Sequence, residues 1–518
     1  MGLNTYYNFK NPVRHFLNID NILFQPDINQ LELEDISWTE PVNFRLWKND
    51  DKYRVLKMPN ILNFYCALKQ FKNYASFNDP SKFDSRKRLV PNIETGDFAT
   101  GVYDEQLEKD FFLLSVYDNL LKLDIKSYYE RIYTHNIVFE NNGDERYLTN
   151  LNQGNTNGLL MGNYLSLYFA ELFLVSISVE IRESLDKENI KCDFSYFSDD
   201  FYFFCNTTDN VKVINIFDKV LEKYNLERKD EGIEIWTYLS YNKQNLAERY
   251  WKSIISESKI RFTEDKKENK MYFSNQLVYR MSNLERVKFQ RTFLHTFFKS
   301  TYFHELKMSK YQIDYYNFHN LCFIFQFAPE TLLYSIGKVK SVDIFKSEDF
   351  NVFLSSRYKV SLSKSFHEEQ LYYYYAIKSL GFRSILKENS DIVLETNNQL
   401  LISYYLKDSL FNKKQINELK DKKEEKYWFQ NYHLILYTEL KNDLENSIDK
   451  YLIPDNVKAI KKQSARNRKR KSYMDFYSLN LSNKISFIKD IRKIHSDVNK
   501  YRELLVDERI EVFGEENN

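Results

Sequence analysis

Glycine, proline and cysteine are all scarce in this chain of 518 residues, at 11, 8 and 4, and each shortage closes off a class of protein. So little glycine and proline excludes a collagen-like or low-complexity disordered chain. The cysteines, Cys66, Cys192, Cys205 and Cys322, are too few and too scattered for a disulfide framework or a zinc site. Charge of one sign is also missing. With 74 basic against 73 acidic residues the net charge is +1, which argues against a strongly cationic nucleic-acid coat; an enzyme gripping a long duplex is more often basic. The start has no charged segment followed by an apolar run, so secretion is not expected, and Tyr6 stands where a myristoylation signal needs Ser or Thr. His295, His304 and His319 fit no common ligand spacing and read as structural histidines.

What is abundant is aromatic surface, with 40 Tyr and 41 Phe. Hydrophobic residues at 43% and charged residues at 28% describe a folded chain, and the length exceeds what one core supports, so two domains are expected. Punctuation divides them. Six of the eight prolines precede residue 92, and only three of the eleven glycines follow Gly232. Residues 1–250 read as a mixed domain. Residues 251–518 read as all-helical, because 285–303, 365–380, 399–420, 427–449 and 482–504 carry apolar residues at helical spacing.

Three blocks in the first half carry chemistry. LeuLysLeuAspIleLysSerTyrTyr (121–129) alternates like a strand whose end delivers Asp124. Around TyrPheSerAspAspPheTyrPhePhe (196–204), residues 194–205 are aromatic, Ser or Cys on both sides of the acidic pair and read as two short strands joined by a tight turn with Asp199 and Asp200 at its tip. Between them, GlyLeuLeuMetGlyAsnTyrLeuSer (158–166) reads as a turn feeding a helix, with Gly158 and Gly162 letting the backbone approach a substrate. Two strand ends can thus present three carboxylates to one point, a set of hard oxygen donors that repel one another unless a divalent cation fills them. Two such ions stabilise the attacking and leaving oxygens of phosphoryl transfer. The helix over 163–181 is apolar enough to raise the question of a membrane, and Glu171 and Glu180 argue for burial in protein instead.

The order and wording of these blocks resemble a reverse transcriptase, and specifically the Abi group of bacterial enzymes that act in abortive phage infection, of the AbiA and AbiK kind and the shorter prophage-borne type. ArgValLeuLysMetProAsn (54–60) and TyrLeuSerTyrAsnLys (238–243) add weaker support, so the resemblance touches about the first half of the chain. It implies an α+β fold of reverse-transcriptase-like fingers and palm, with an all-α, HEAT-like domain of stacked helix pairs in place of a thumb. Asp124, Asp199 and Asp200 match the catalytic, metal-binding acids, with the Ile125 carbonyl beside them. Tyr129 matches the sugar-selecting aromatic, with core packing as its alternative. Arg86 and Arg88, flanking Lys87, and Met161 fall where the nucleotide is held, the basic run being otherwise a solvated turn. Lys243 is either a proton donor to pyrophosphate or a solvated lysine.

Leu160 and Met161 replace the Pro and Gln usual in the middle block, and Phe197 replaces a Tyr. Loss of the amide removes a contact to nucleotide and template, which suits the template-independent, protein-primed synthesis that the group implies. The resemblance further implies Mg²⁺, with Mn²⁺ able to stand in, deoxynucleoside triphosphates as substrates, single-stranded DNA covalently attached to the protein as product, a homo-oligomer, and a bacterial cytoplasm as location. Tyr6 and Tyr7 are conceivable primers. Alternatives are a templated, retron-like enzyme and a binding scaffold with a vestigial palm. Residues 456–475 hold eight Lys or Arg against one acid. Arg466, Arg468, Lys469 and Arg470 there could hold product while Tyr473 and Phe476 stack its bases, or the run is a solvated face.

Overall fold

The computed structural model describes residues 2–8, 13–49, 52–77, 84–89, 100–243, 269–284, 286–299, 303–304, 315–340 and 342–500. It is mostly helical, with two small antiparallel sheets. The first sheet is a hairpin of β1 (Val42–Asn49) and β2 (Lys52–Met58), followed by α1 (Ile61–Phe71). The second has the strand order β4-β5-β3-β6. Its strands are β3 (Asn119–Asp124), β4 (Cys192–Phe197), β5 (Asp200–Cys205) and β6 (Glu234–Trp236).

Alternation along these strands sorts the side chains. Leu121, Leu123, Phe201 and Phe203 fall on one face and are fully buried. They meet α3 (Tyr164–Lys187) and α4 (Asn210–Lys223); Phe217 of α4, for example, packs 5.2 Å from Phe201. The opposite face carries Lys122, Asp124, Asp200 and Tyr202, and is partly covered by Leu107 and Leu114 of α2 (Thr100–Val116), which join Leu120, Phe204 and Tyr241 in a second, smaller cluster. Helix α3 starts where it does because Asn163 caps it, its side chain accepting from the Ser166 N–H at 3.0 Å. By length and composition α3 could cross a membrane, but 67% of its apolar window is buried inside this protein. Glu171 within it pairs with Lys87 at 2.9 Å.

The second half is a succession of helices. The longer ones among the described residues are α5 (Asn269–Ser282), α6 (Val287–Lys299), α7 (Tyr315–Phe327), α8 (Thr331–Val339), α9 (Glu348–Ser363), α10 (His367–Leu380), α11 (Gln399–Lys407), α12 (Lys413–Asp421), α13 (Trp428–Tyr437), α14 (Leu444–Tyr451) and α15 (Gln463–Ser482). The boundary expected near 250 lies outside the described residues. The N-terminal segment nevertheless packs on the C-terminal helices: Leu17 bridges Ile488, and the Lys489 N–H donates to the Phe16 carbonyl at 2.9 Å. The hairpin docks there too, through the Trp47 N–H to Glu368 at 2.5 Å and the Arg45 N–H to His367 Nδ1 at 3.3 Å.

All four cysteines are free and buried. They are less scattered than the sequence suggests, since Cys192 and Cys205 stand directly opposite each other on β4 and β5.

Candidate functional site

Strand pairing brings two of the three acids face to face. Asp124, the last residue of β3, is the cross-strand partner of Asp200, the first residue of β5. The Ile125 N–H donates to the Asp199 carbonyl at 3.0 Å, so Asp124 and Asp200 form a pair without mutual backbone bonds. In such a pair the Cα atoms stand roughly 4.5 Å apart. Asp199 sits in the two-residue turn between β4 and β5, beside Ser198, whose φ of +53° is the left-handed conformation that closes so tight a connection.

Like charges at this separation repel. The Asp199 carboxyl is held above its ordinary value, by burial first and by Asp124 second. Asp200 is raised as well, by burial first, while Lys122 pulls it back and Asp199 and Asp124 push it up. Lys122 pairs with Asp200 at 3.0 Å and Lys229 with Asp124 at 3.1 Å. Further cations gather from other elements. Arg54 of β2 acts on Asp199. Lys48 of β1 is held below its ordinary value by burial and then by Arg54 and Lys229, with Asp124 opposing. Lys288 of α6 is lowered by desolvation and then by Arg54 and Lys122, with Asp200 opposing.

In donor type the trio suits a hard cation. Its geometry is that of acids turned to local partners: among the described residues, no three His, Cys, Asp or Glu side chains converge closely enough to hold a metal ion as they stand. Asp124 and Asp200 face lysines, and Asp199 bonds its own turn through Ser198.

The remaining expected residues are distributed differently. Tyr129 is half-buried against the core, edge-on to Tyr128 at 5.8 Å, and its hydroxyl bonds Ser198 beside the acids. The Met161 carbonyl accepts the Lys57 N–H at 3.0 Å, tying the middle block to β2. Gly158 and Gly162, expected to admit a substrate, admit the protein's own chain instead. A Cβ on Gly158 would lie 3.2 Å from the Glu130 carbonyl oxygen, and one on Gly162 would lie 2.8 Å from Leu56. Lys243 is exposed at the end of a described segment.

The basic run 86–88 is not a solvated turn, because it continues the sheet. The Arg88 N–H donates to the Tyr196 carbonyl at 2.9 Å and the Tyr196 N–H to the Arg86 carbonyl at 3.0 Å. Arg86 pairs with Asp84 at 3.2 Å. Arg88 is committed to the fold: it pairs with the fully buried Asp110, donates to Ser195 Oγ at 3.0 Å and lies 4.0 Å over the Tyr202 ring.

Three further expectations are corrected. Tyr6 and Tyr7 are buried, and the Tyr7 hydroxyl donates to the Pro59 carbonyl at 2.6 Å, so neither presents a primer. Tyr473 and Phe476 are core residues of α15 and have no face free for a base. In the same helix Arg468 pairs with Asp35, Lys469 donates to the Ile36 carbonyl, and Arg470 pairs with Asp449 at 2.6 Å; Arg466 is exposed. Sequence reasoning missed Lys122, Lys229, Lys48, Arg54 and Lys288. Only Lys122 had a readable signal, standing two residues before Asp124 on the same strand face.

Neither a family model nor a curated protein matches the chain. Among solved structures, the telomerase from Candida albicans in complex with a fragment of telomeric RNA is similar at 10% identity, with a TM-score of 0.28 over 72% of this chain. The match spans 65% of that protein's length, and at this level of superposition it carries no argument.

Proposed function

We propose that the chain is a nucleotidyltransferase, a DNA polymerase of the Abi reverse-transcriptase kind that starts synthesis on one of its own hydroxyls without a template. In this reading residues 1–250 are fingers and palm, and the helical second half stands in place of a thumb. The observation that carries the reading is the register in which Asp124 faces Asp200, with Asp199 in the adjoining turn. Asp124, Asp199, Asp200 and the Ile125 carbonyl would hold Mg²⁺, or Mn²⁺ in its place, which when bound supplies Lewis-acid stabilisation of phosphate oxygens. Arg54, Lys122 and Lys229 supply the cations that an incoming triphosphate requires. Tyr129, bonded to Ser198 beside Asp199, is suited to exclude a sugar 2′-hydroxyl.

The priming hydroxyl belongs to an accessible tyrosine, and among the described residues Tyr53, Tyr238 and Tyr279 are the exposed ones. The product is single-stranded DNA joined to protein, made by a cytoplasmic homo-oligomer in defence against phage. The test is to incubate purified protein with labelled deoxynucleoside triphosphates and Mg²⁺ and to follow the label through denaturing electrophoresis. Label migrating with the protein, and lost in Asp199→Ala, is the expected result. Label that separates from the protein removes self-priming, a product sequence dictated by added template favours a templated enzyme, and incorporation by Asp199→Ala removes the catalytic assignment.

A further inference from the structure

A cavity of about 310 Å³ lies between β1 and the helices α6, α7, α9 and α10, lined from β1 by Trp47 and from α6 by Val287 and Arg291. None of the three acids belongs to it. Its size is at the lower end for small-molecule sites. Two of its features are not fully satisfied by the described residues. The first is a donor without an acceptor: Arg357 reaches the Tyr373 hydroxyl, but its Nε is buried with no hydrogen-bond partner among the described residues. Leaving a buried charged donor unsatisfied is costly, and such a group in a cavity wall points to a missing acceptor. The second is aromatic surface. Phe323 and Phe327 stack at 5.9 Å with their planes 28° apart, and Phe323 is 39% exposed.

The other charges in the wall indicate where an anion would sit. Arg291 is spent, lying 3.9 Å over the Trp47 ring and pairing with Glu330 and with Glu369 at 3.4 Å. Lys364 is only loosely held, 3.8 Å from Glu369 with its side chain 44% exposed. Two cations with capacity to spare therefore line the cavity, and a stacked aromatic pair forms another part of its wall. A ligand satisfying both carries a planar ring and an anionic group.

We propose that this cavity binds a nucleoside phosphate, with its base against Phe323 and Phe327 and its phosphate on Arg357 and Lys364. The site is separate from the acid cluster, and α6 runs from one toward the other: Val287 lines the cavity, and the next residue, Lys288, feels the charge of Asp200.

The test uses the full chain carrying Asp124→Asn, Asp199→Asn and Asp200→Asn, so that nucleotide held by the acid cluster does not contribute. ATP, adenosine and tripolyphosphate are titrated by equilibrium dialysis, and 8-azido-ATP is photo-crosslinked and mapped. The expected result is saturable ATP binding, tighter than either fragment, with label on the peptide bearing Phe323 and Phe327. Adding Arg357→Gln with Lys364→Gln should weaken binding about a hundredfold, roughly tenfold for each charge-assisted contact removed. Lys364→Gln and Phe327→Ala singly serve if the double change does not fold. Unchanged affinity in these variants, label confined elsewhere, or tripolyphosphate binding as tightly as ATP overturns the proposal. Failure here leaves the polymerase reading intact, because the acids were already removed.

Discussion

Asp124 and Asp200 face each other, each paired with a lysine, and Asp199 completes a trio that the fold tolerates at a cost. A carboxyl whose pKa is raised in the folded state contributes stability only while it is protonated, and that contribution is lost as pH rises through the folded value. At neutral pH Asp199 therefore opposes folding. Asp199→Asn should melt about 1–3 °C above the wild type at pH 7 in chelator. The difference should close as pH falls below the ordinary Asp range, near 4. Melting curves of the two proteins from pH 3 to 8 check both the sign and the closing. At this scale the sequence declared the acids through their local context. Lys229 it could not declare, since that residue reaches Asp124 across 105 positions and only through the packing of the loop after α4.

Elements were legible where a short period repeats. Aromatic, Ser and Cys residues on both sides of the acidic pair predicted the hairpin over 194–205, and the strands are Cys192–Phe197 and Asp200–Cys205. Apolar spacing marked 399–420 and 427–449 as helical, and each holds more than one helix. Ser409 turns left-handed at φ +53° after α11. Asn412 and Gln415 then form a reciprocal capping box that starts α12, a signal present in the sequence as Asn-x-x-Gln.

The middle block was read for the right freedom and the wrong neighbour. Gly162 has φ +115°, and Leu56 fills the space a Cβ would need. Gly162→Ala should destabilise by about 1–3 kcal/mol, measured by urea unfolding, whereas an unchanged midpoint would mean that β2 and this turn yield easily. The β1 hairpin offers a second test. Glu368, which accepts the Trp47 N–H, is pushed up to about 8 by burial, with Arg291 and that N–H opposing. Its stabilising contribution is thus present at low pH and lost as pH rises through about 8. Glu368→Gln should gain thermal stability over the wild type between pH 6 and pH 9, and a gap that narrows instead would show the group is not held neutral.

Over the whole molecule, the sequence exposed the contrast between a punctuated first half and a helical second half. It gave no sign of how the two are laced. Tyr473, suggested by its basic surroundings to meet nucleic acid, instead bonds Ser37 and Asn63 from within the core, a contact spanning more than four hundred residues. The basic run of α15 is drawn into the same seam through Asp35 and the Ile36 carbonyl. Local composition reports charge and periodicity, whereas such long-range pairings depend on the finished fold.

The trio of acids carries the account, and Mn²⁺ titration followed by electron paramagnetic resonance tests it most directly. The wild-type chain should bind Mn²⁺ tightly, with Mg²⁺ competing, and the protein carrying Asp124→Asn, Asp199→Asn and Asp200→Asn should not. Equal binding by the two proteins would contradict it.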